Sequence, residues 1–296
     1  MTGDIEEWAA RASRVTVGGE SVAVVDLPAR EGEQSRPLLV IHGYPTSSID
    51  FQAVAGPLSA GRRVVLVDLP GYGLSAKPDR PYSLFGQADV VVAVAADAGL
   101  DRVDLLTHDM GDSVGGELLA RSLEGTLGFE LRRRVVTNGS IYLGLAQLTD
   151  GQQALRRMPD ERLPEGVGPD AAGLTDVLVE LCAPARRTDE VRARMRAGAE
   201  LVVRDGGNRL MARLIRYIDE RARHETRWTG AIESHPSPLT LVWGRYDPIA
   251  VATMVDRLAE RRPDAAVTWL DAGHWPMIEL PDEFTRAVLA GLDGAG

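Results

Sequence analysis

Short, nearly unbroken apolar runs recur along the chain, and stretches with apolar residues at helical spacing lie between them. Pro37-Leu38-Leu39-Val40-Ile41, Arg63-Val64-Val65-Leu66-Val67 and Val103-Asp104-Leu105-Leu106-Thr107 come first. Arg134-Val135-Val136-Thr137-Asn138, Leu239-Thr240-Leu241-Val242-Trp243 and Ala266-Val267-Thr268-Trp269-Leu270 follow. Continuous apolar runs predict strands buried on both faces, whereas a half-exposed strand would alternate. Two β-branched runs upstream, Val15-Thr16-Val17 and Ser21-Val22-Ala23-Val24-Val25, flank Gly18-Gly19-Glu20 and predict a hairpin, because glycine accepts the positive φ of a tight turn. Helical spacing falls at 51–58, 85–98, around Leu118 and Leu119, at 250–260 and at 282–292. Strands thus alternate with helices, which predicts an α/β fold with a mostly parallel eight-stranded sheet covered on both faces.

The rhythm breaks between about Ser140 and His235. No strand-like run survives there, and segments rich in Arg, Glu, Leu and Ala are interrupted by Pro164, Gly166, Gly168, Pro169 and Gly206-Gly207. This stretch, residues 140–235, is expected to be a helical cap inserted after the sixth strand, dividing a core of residues 1–139 and 236–296. Its arginines are expected to form a solvated surface.

The run ending at Thr107 leads through His108-Asp109-Met110-Gly111-Asp112-Ser113-Val114-Gly115-Gly116 into the helical Glu117-Leu118-Leu119-Ala120-Arg121. A side chain on such a strand-turn-helix bend stands clear of the sheet edge, and small residues two before and two after it, here Thr107 and Gly111, let strand and helix close up. Asp109 occupies the bend. With an ordinary pKa of about 3.9, a carboxylate is already an anionic nucleophile at neutral pH and needs no base to activate it; a helix N-cap is the structural alternative. Gly111-Asp112-Ser113-Val114-Gly115 also spells G-x-S-x-G, but Ser113 falls about one helical turn inside the helix rather than on the bend. Asp112 reads as a first-turn acid favoured by the helix dipole.

A carboxylate that attacks carbon leaves an ester, whose hydrolysis needs an activated water, and a histidine held by a second carboxylate is the usual device. His274, in Asp271-Ala272-Gly273-His274-Trp275-Pro276, follows the last strand at the edge where open α/β sheets bind ligands. Asp247, in Trp243-Gly244-Arg245-Tyr246-Asp247-Pro248, follows the preceding strand at the same edge, with loop capping as its alternative. His108 reads as a packing residue, and His224 and His235 lack a comparable setting. Two backbone N–H groups should meet the oxyanion of ester hydrolysis: Met110, after the nucleophile, and Tyr44, in His42-Gly43-Tyr44-Pro45, where Gly43 permits close approach and a cis Pro45 would direct the Tyr44 N–H.

Composition narrows the classes. A net charge of −10 and the lack of a basic stripe with aromatics argue against nucleic acid and anionic lipid as partners. The single cysteine, Cys182, cannot form an internal disulfide and reads as a small buried hydrophobe. Met1-Thr2-Gly3-Asp4-Ile5-Glu6-Glu7-Trp8 lacks the basic and apolar regions of a secretory signal, and Ala88–Leu100, the most apolar stretch, contains Asp89 and Asp97 and is too short to span a bilayer. A cytoplasmic monomer or homodimer acting on a small apolar substrate, with no metal or other cofactor and no membrane partner, is expected.

The series H-G-x-P, D-L-P-G-Y-G-L-S, H-D-x-G, W-G-x-x-D-P and G-H-W-P resembles the α/β-hydrolase superfamily in its epoxide hydrolase and haloalkane dehalogenase branch, across about Leu38–Leu292. Leu106–Asp112 with Glu117-Leu118-Leu119, and Arg216–Arg221 with Arg227-Trp228, are similar to its mesoderm-specific transcript subgroup. The resemblance implies an α/β-hydrolase fold and an epoxide hydrolase. Dehalogenases of this branch hold the halide with an indole N–H after the nucleophile and often an asparagine or tryptophan from elsewhere, whereas this chain has Met110 and Tyr44, so dehalogenation ranks second. Epoxide hydrolases open the ring with phenols from the cap. Tyr217 resembles one of these by its place before the Glu220-Arg221 segment, and Tyr142 is a second candidate, packing being the alternative for both. A serine esterase using Ser113 and a non-catalytic binding protein on the same fold stay open beside these.

Overall fold

The computed structural model describes residues 2–32 and 34–294. An N-terminal helix, α1 (Thr2–Ala10), precedes the hairpin of β1 (Ala12–Val17) and β2 (Glu20–Leu27). No apolar run announces α1. It is tied down by two side chains one turn apart, Ile5 and Trp8, both buried. In the hairpin Val17 pairs with Glu20, leaving Gly18 (φ 57) and Gly19 (φ 84) as a two-residue turn.

The alternating part follows as β3 (Leu38–Ile41), α2 (Gln52–Leu58), β4 (Val64–Val67), α3 (Leu84–Asp97), β5 (Arg102–His108), α4 (Met110–Leu123) and β6 (Glu130–Thr137). Every residue of β3 and β4 is buried, as unbroken apolar runs require. The helix expected from Phe51 begins instead as a 3-10 turn at Ser48–Phe51, because Asp68 Oδ1 takes the Ser48 N–H (2.8 Å) and draws the chain in early. Between β6 and β7 the described residues hold helices and no strand: α5 (Asp150–Arg157), α6 (Ala171–Glu180), α7 (Asp189–Val203), α8 (Met211–Leu214) and α9 (Tyr217–Ser234). The chain then closes through β7 (Leu239–Gly244), α10 (Thr253–Arg261), β8 (Ala266–Leu270), α11 (Pro276–Glu279) and α12 (Pro281–Asp293).

The eight strands form one sheet in the order β1-β2-β4-β3-β5-β6-β7-β8, parallel from β4 to β8, with β1 and β2 antiparallel at one edge. This is the α/β-hydrolase fold. From β3 the chain passes to β4 on one side and later to β5 on the other, so the loops after β3 and β5 diverge from neighbouring strands. Such a switch point opens a crevice at the carboxyl ends of the strands. No described helix is long and apolar enough to cross a membrane.

Helix α9 lies across α4. Trp228 and Arg227 donate to the buried Glu117 of α4 (2.8 and 2.7 Å), and Glu220 accepts from the Ser83 hydroxyl and the Leu84 N–H (2.6 Å each) at the start of α3. Arg221, 1% exposed, donates to Ser113 of α4 and to the Ile141 carbonyl (2.7 Å). The expectation that the arginines between 140 and 235 are a solvated surface fails here. A buried guanidinium needs acceptors, and α4 with the segment after β6 provides them.

Candidate active site

Asp109 follows directly on β5 with φ 50 and ψ −116, and α4 begins at Met110. Such a φ is uncommon for a residue with a Cβ and persists only where the surroundings enforce it. Two glycines do so. A Cβ on Gly43 would stand 2.6 Å from the Asp109 Cβ, and one on Gly111 would stand 2.5 Å from the Ile41 carbonyl oxygen, so the loop after β3 and the first turn of α4 close on the bend only without side chains.

The loop after β3 turns the Tyr44 N–H onto Asp109 Oδ2 (2.8 Å), and the Met110 N–H also faces the carboxylate. The Tyr44-Pro45 bond is cis. The other carboxylate oxygen, Oδ1, stands 3.8 Å from His274 Nε2. On its far side the imidazole meets Asp247 Oδ2 through Nδ1 (2.8 Å). All three side chains are buried: Asp109 is 4%, Asp247 4% and His274 1% exposed. The three residues singled out in the sequence thus come together, although 165 positions separate the first from the last (274 less 109).

Further side chains hold this group, and sequence reasoning missed them. Asn138, just past β6 with φ 49, donates to Asp247 Oδ2 (2.7 Å) and accepts the Gly244 N–H (2.9 Å). Asp247 Oδ1 accepts from the Ile249 and Ala250 N–H groups (2.7 and 3.0 Å), so both carboxylate oxygens face only donors. Glu279 gathers the Gly273, Trp275 and Ala183 N–H groups (2.8, 3.2 and 2.9 Å) and so fixes the loop carrying His274. A polar residue ending an apolar strand at the ligand-binding edge, as Asn138 does, was the available signal. Glu279 offered none beyond its place one short helix after His274.

Burial alone would depress His274, but the hydrogen-bonded Asp247 and the neighbouring Asp109 outweigh it and bring the imidazole up to about 9. Burial raises Asp109 above the ordinary carboxylate range, against the pull of His274 and the Tyr44 N–H. Burial would raise Asp247 too, yet His274, Asn138 and the Ile249 N–H hold it low. Attraction to the two carboxyl groups on either side thus favours the protonated form of the imidazole between them. His108, pushed down to about 3 by burial and by His274, is neutral and donates through Nε2 to the His274 carbonyl (2.9 Å), which bears out its reading as a packing residue.

Other expectations need correction. Tyr142 does not face the group: its hydroxyl is bound to Glu233 (2.8 Å) and the Arg257 guanidinium lies over its ring, because the chain leaving β6 turns it towards α9 and α10. Asp112 does stand in the first turn of α4, but it is buried there rather than solvated. It is 1% exposed, and burial pushes its carboxyl well above the usual range. Tyr217, by contrast, opens α9 beside the group, its ring centroid 5.5 Å from that of Tyr44. A cavity of about 250 Å³ adjoins His274, with Tyr44, Leu155, Leu178, Met211 and Ile249 among its walls. Aliphatic walls around a few polar groups suit a small apolar molecule.

Ser113 lies inside α4 and is 1% exposed, its hydroxyl taken by Arg221. Ser113→Ala should therefore lower stability by about 1–3 kcal/mol, since Arg221 loses a buried acceptor, while turnover per folded molecule stays within a few-fold. Thermal unfolding and single-turnover rates measure the two separately, and loss of all turnover in a folded variant would make Ser113 the nucleophile.

Fold and site together define an α/β-hydrolase whose bend carries a carboxylate. The chain belongs to the alpha/beta hydrolase family, whose model matches residues 38–287. It is 42% identical over 278 residues to LipZ of Mycobacterium tuberculosis, named as a hydrolase, covering 90% of this chain and 92% of LipZ. It is 31% identical over 286 residues to the human mesoderm-specific transcript homolog protein, covering 91% and 80%. Among solved structures, a thermophilic esterase from Thermogutta terrifontis superposes with a TM-score of 0.77 at 20% identity, covering 96% of this chain and 98% of the esterase.

Proposed function

We propose that this hydrolase opens epoxides through a covalent ester on Asp109. The observation that carries the reading is the division of labour in one carboxylate: Oδ2 is held by the Tyr44 N–H at 2.8 Å, and Oδ1 faces His274 Nε2 at 3.8 Å. Oδ1 attacks a ring carbon, the bond from that carbon to the ring oxygen breaks, and the oxygen takes the electron pair and a proton from the Tyr217 phenol. His274 in its neutral form then takes a proton from water, hydroxide adds to the ester carbonyl carbon, and the Tyr44 and Met110 N–H groups meet the oxyanion. Collapse expels the diol, which takes the proton from His274. The acid left on Asp109 returns a proton to the phenolate.

Haloalkane dehalogenation is the second reading, because it shares the nucleophile. Met110 has no side-chain N–H for a departing halide and its sulfur instead faces the Tyr72 hydroxyl (3.2 Å), so a charge-assisted hydrogen bond worth about 1.5–3 kcal/mol is missing. A panel of aryl and alkyl epoxides, haloalkanes and esters separates these reactions. With an accepted epoxide and enzyme in excess, one turnover in heavy-oxygen water should give unlabelled diol, since its new oxygen is Asp109 Oδ1. Labelled diol from that first turnover would mean direct attack by water.

The pH dependence has a definite sign. Hydrolysis needs neutral His274, so ester decay should accelerate with rising pH and then level off. Ester formation moves the negative charge off Asp109, one of the two carboxylates that raise His274, and onto the Tyr217 phenol, so the midpoint of ester decay should lie below the value of about 9 in the resting site. Stopped-flow decay rates compared with an NMR titration of free-enzyme His274 test this. Equal midpoints would remove Asp109 as the ester-bearing group.

A further inference from the structure

Opening an epoxide leaves charge on the departing oxygen, and six tyrosines could supply phenols to meet it. Four are placed otherwise. Tyr72 donates to Met110 Sδ (3.2 Å), Tyr82 to the Pro78 carbonyl (2.7 Å) and Tyr142 to Glu233 (2.8 Å), while Tyr246 is 56% exposed in the loop after β7. Tyr44 and Tyr217 remain, and both stand at the nucleophile.

Tyr44 is 5% exposed, and its buried hydroxyl has no hydrogen-bond partner among the described residues. A phenol buried in this way is less stable than phenylalanine in the same space, so packing does not explain the oxygen. The residue is fixed at the site through its own backbone, whose N–H holds Asp109 Oδ2 at 2.8 Å. Its ring lies 5.5 Å from that of Tyr217, with the planes tilted by 40°, and walls the cavity that adjoins His274. Burial and the Asp109 charge raise both phenols above their ordinary range, so each carries its proton at neutral pH.

We propose that the Tyr44 side chain, from the core loop after β3, is the second phenol of ring opening and acts with Tyr217 on the epoxide oxygen. The proposal rests on the epoxide reading above. As Asp109 Oδ1 bonds to carbon and the carbon–oxygen bond breaks, the departing oxygen receives the electron pair, the proton of Tyr217 and a hydrogen bond from Tyr44. Hydrolysis of the ester makes no such demand, because the oxyanion of that step is met by backbone N–H groups. Tyr44 therefore serves both steps with different atoms, its hydroxyl in the first and its N–H in the second.

Tyr44→Phe separates these roles, since it deletes the hydroxyl and keeps the ring and the N–H. Ester formation is read by rapid-quench intact-mass spectrometry in the His274→Gln background, and ester hydrolysis by single turnover with His274 intact. The expected result is ester formation slower by about 10²-fold, within the usual range for a lost acid, with hydrolysis and melting temperature unchanged or the latter raised. Ester formation within a factor of two of the parent overturns the proposal. A parallel fall in ester formation, hydrolysis and melting temperature also overturns it, because that is the signature of a packing role. If His274→Gln itself yields no adduct with any epoxide that the wild type turns over, the epoxide ester reading fails first, an outcome distinct from either of these.

Discussion

His274→Gln should gain the mass of one substrate when mixed with an accepted epoxide, and keep it. The attacking group in Asp109 is a carboxylate that carries its electron pair without help, and its Oδ2 stays held by the Tyr44 N–H whether or not residue 274 is basic. Removing the imidazole therefore leaves ring opening in place and withholds the base that activates water. A general base contributes about 10²–10⁴ in rate, so the ester should outlive its wild-type counterpart by about that factor. Peptide mapping should place the adduct on Asp109. A serine nucleophile predicts the reverse, because its hydroxyl stays protonated without the base and little adduct would form. A wild type that turns over while the variant forms no adduct would remove the covalent ester.

Asp247→Asn should slow ester hydrolysis by about 10⁴-fold and leave ester formation nearly intact. All four partners of Asp247 are donors: the Ile249 and Ala250 N–H groups on one oxygen, Asn138 Nδ2 and His274 Nδ1 on the other. An amide has one oxygen to share among them. With that oxygen kept on the backbone N–H groups, the new NH₂ faces His274 and selects the tautomer whose Nε2 is protonated and cannot accept from water. The same change of tautomer costs about 10⁴-fold where an acid–histidine pair serves a serine. Rapid-quench measurement of the two steps decides the matter, and an equal loss in both would mean that Asp247 acts on the nucleophile or only on the fold.

Much of this was legible in the chain itself. The unbroken apolar runs of β3 and β4 could be buried only between two layers of helix, and the end of the run at Thr107 placed the bend at Asp109 rather than at Ser113. His274 and Asp247 were visible because each stands in a loop just after a strand, and parallel strands deliver all such loops to one edge. These inferences share a cause. Strand and helix periods are set by backbone geometry over a few residues, so they are written locally.

What a side chain meets across the molecule is not written locally. Tyr142 and Tyr44 are both tyrosines in loops after strands, yet one is bound to Glu233 and the other keeps a buried hydroxyl without a partner among the described residues. Arg221 looks in sequence like any of the arginines around it, and only the laying of α9 across α4 buries it against Ser113. Asn138 and Glu279 organise the site through backbone groups of loops that the sheet brings together, Gly244 for one, Gly273 and Ala183 for the other. Sequence by itself thus determined the strands and helices of the alternating core, though not α1, and where Asp109, Asp247 and His274 emerge from the sheet. The tertiary structure decided which polar groups are satisfied and which are left to face the cavity, because a hydrogen bond depends on ångström distances between segments that no local period encodes.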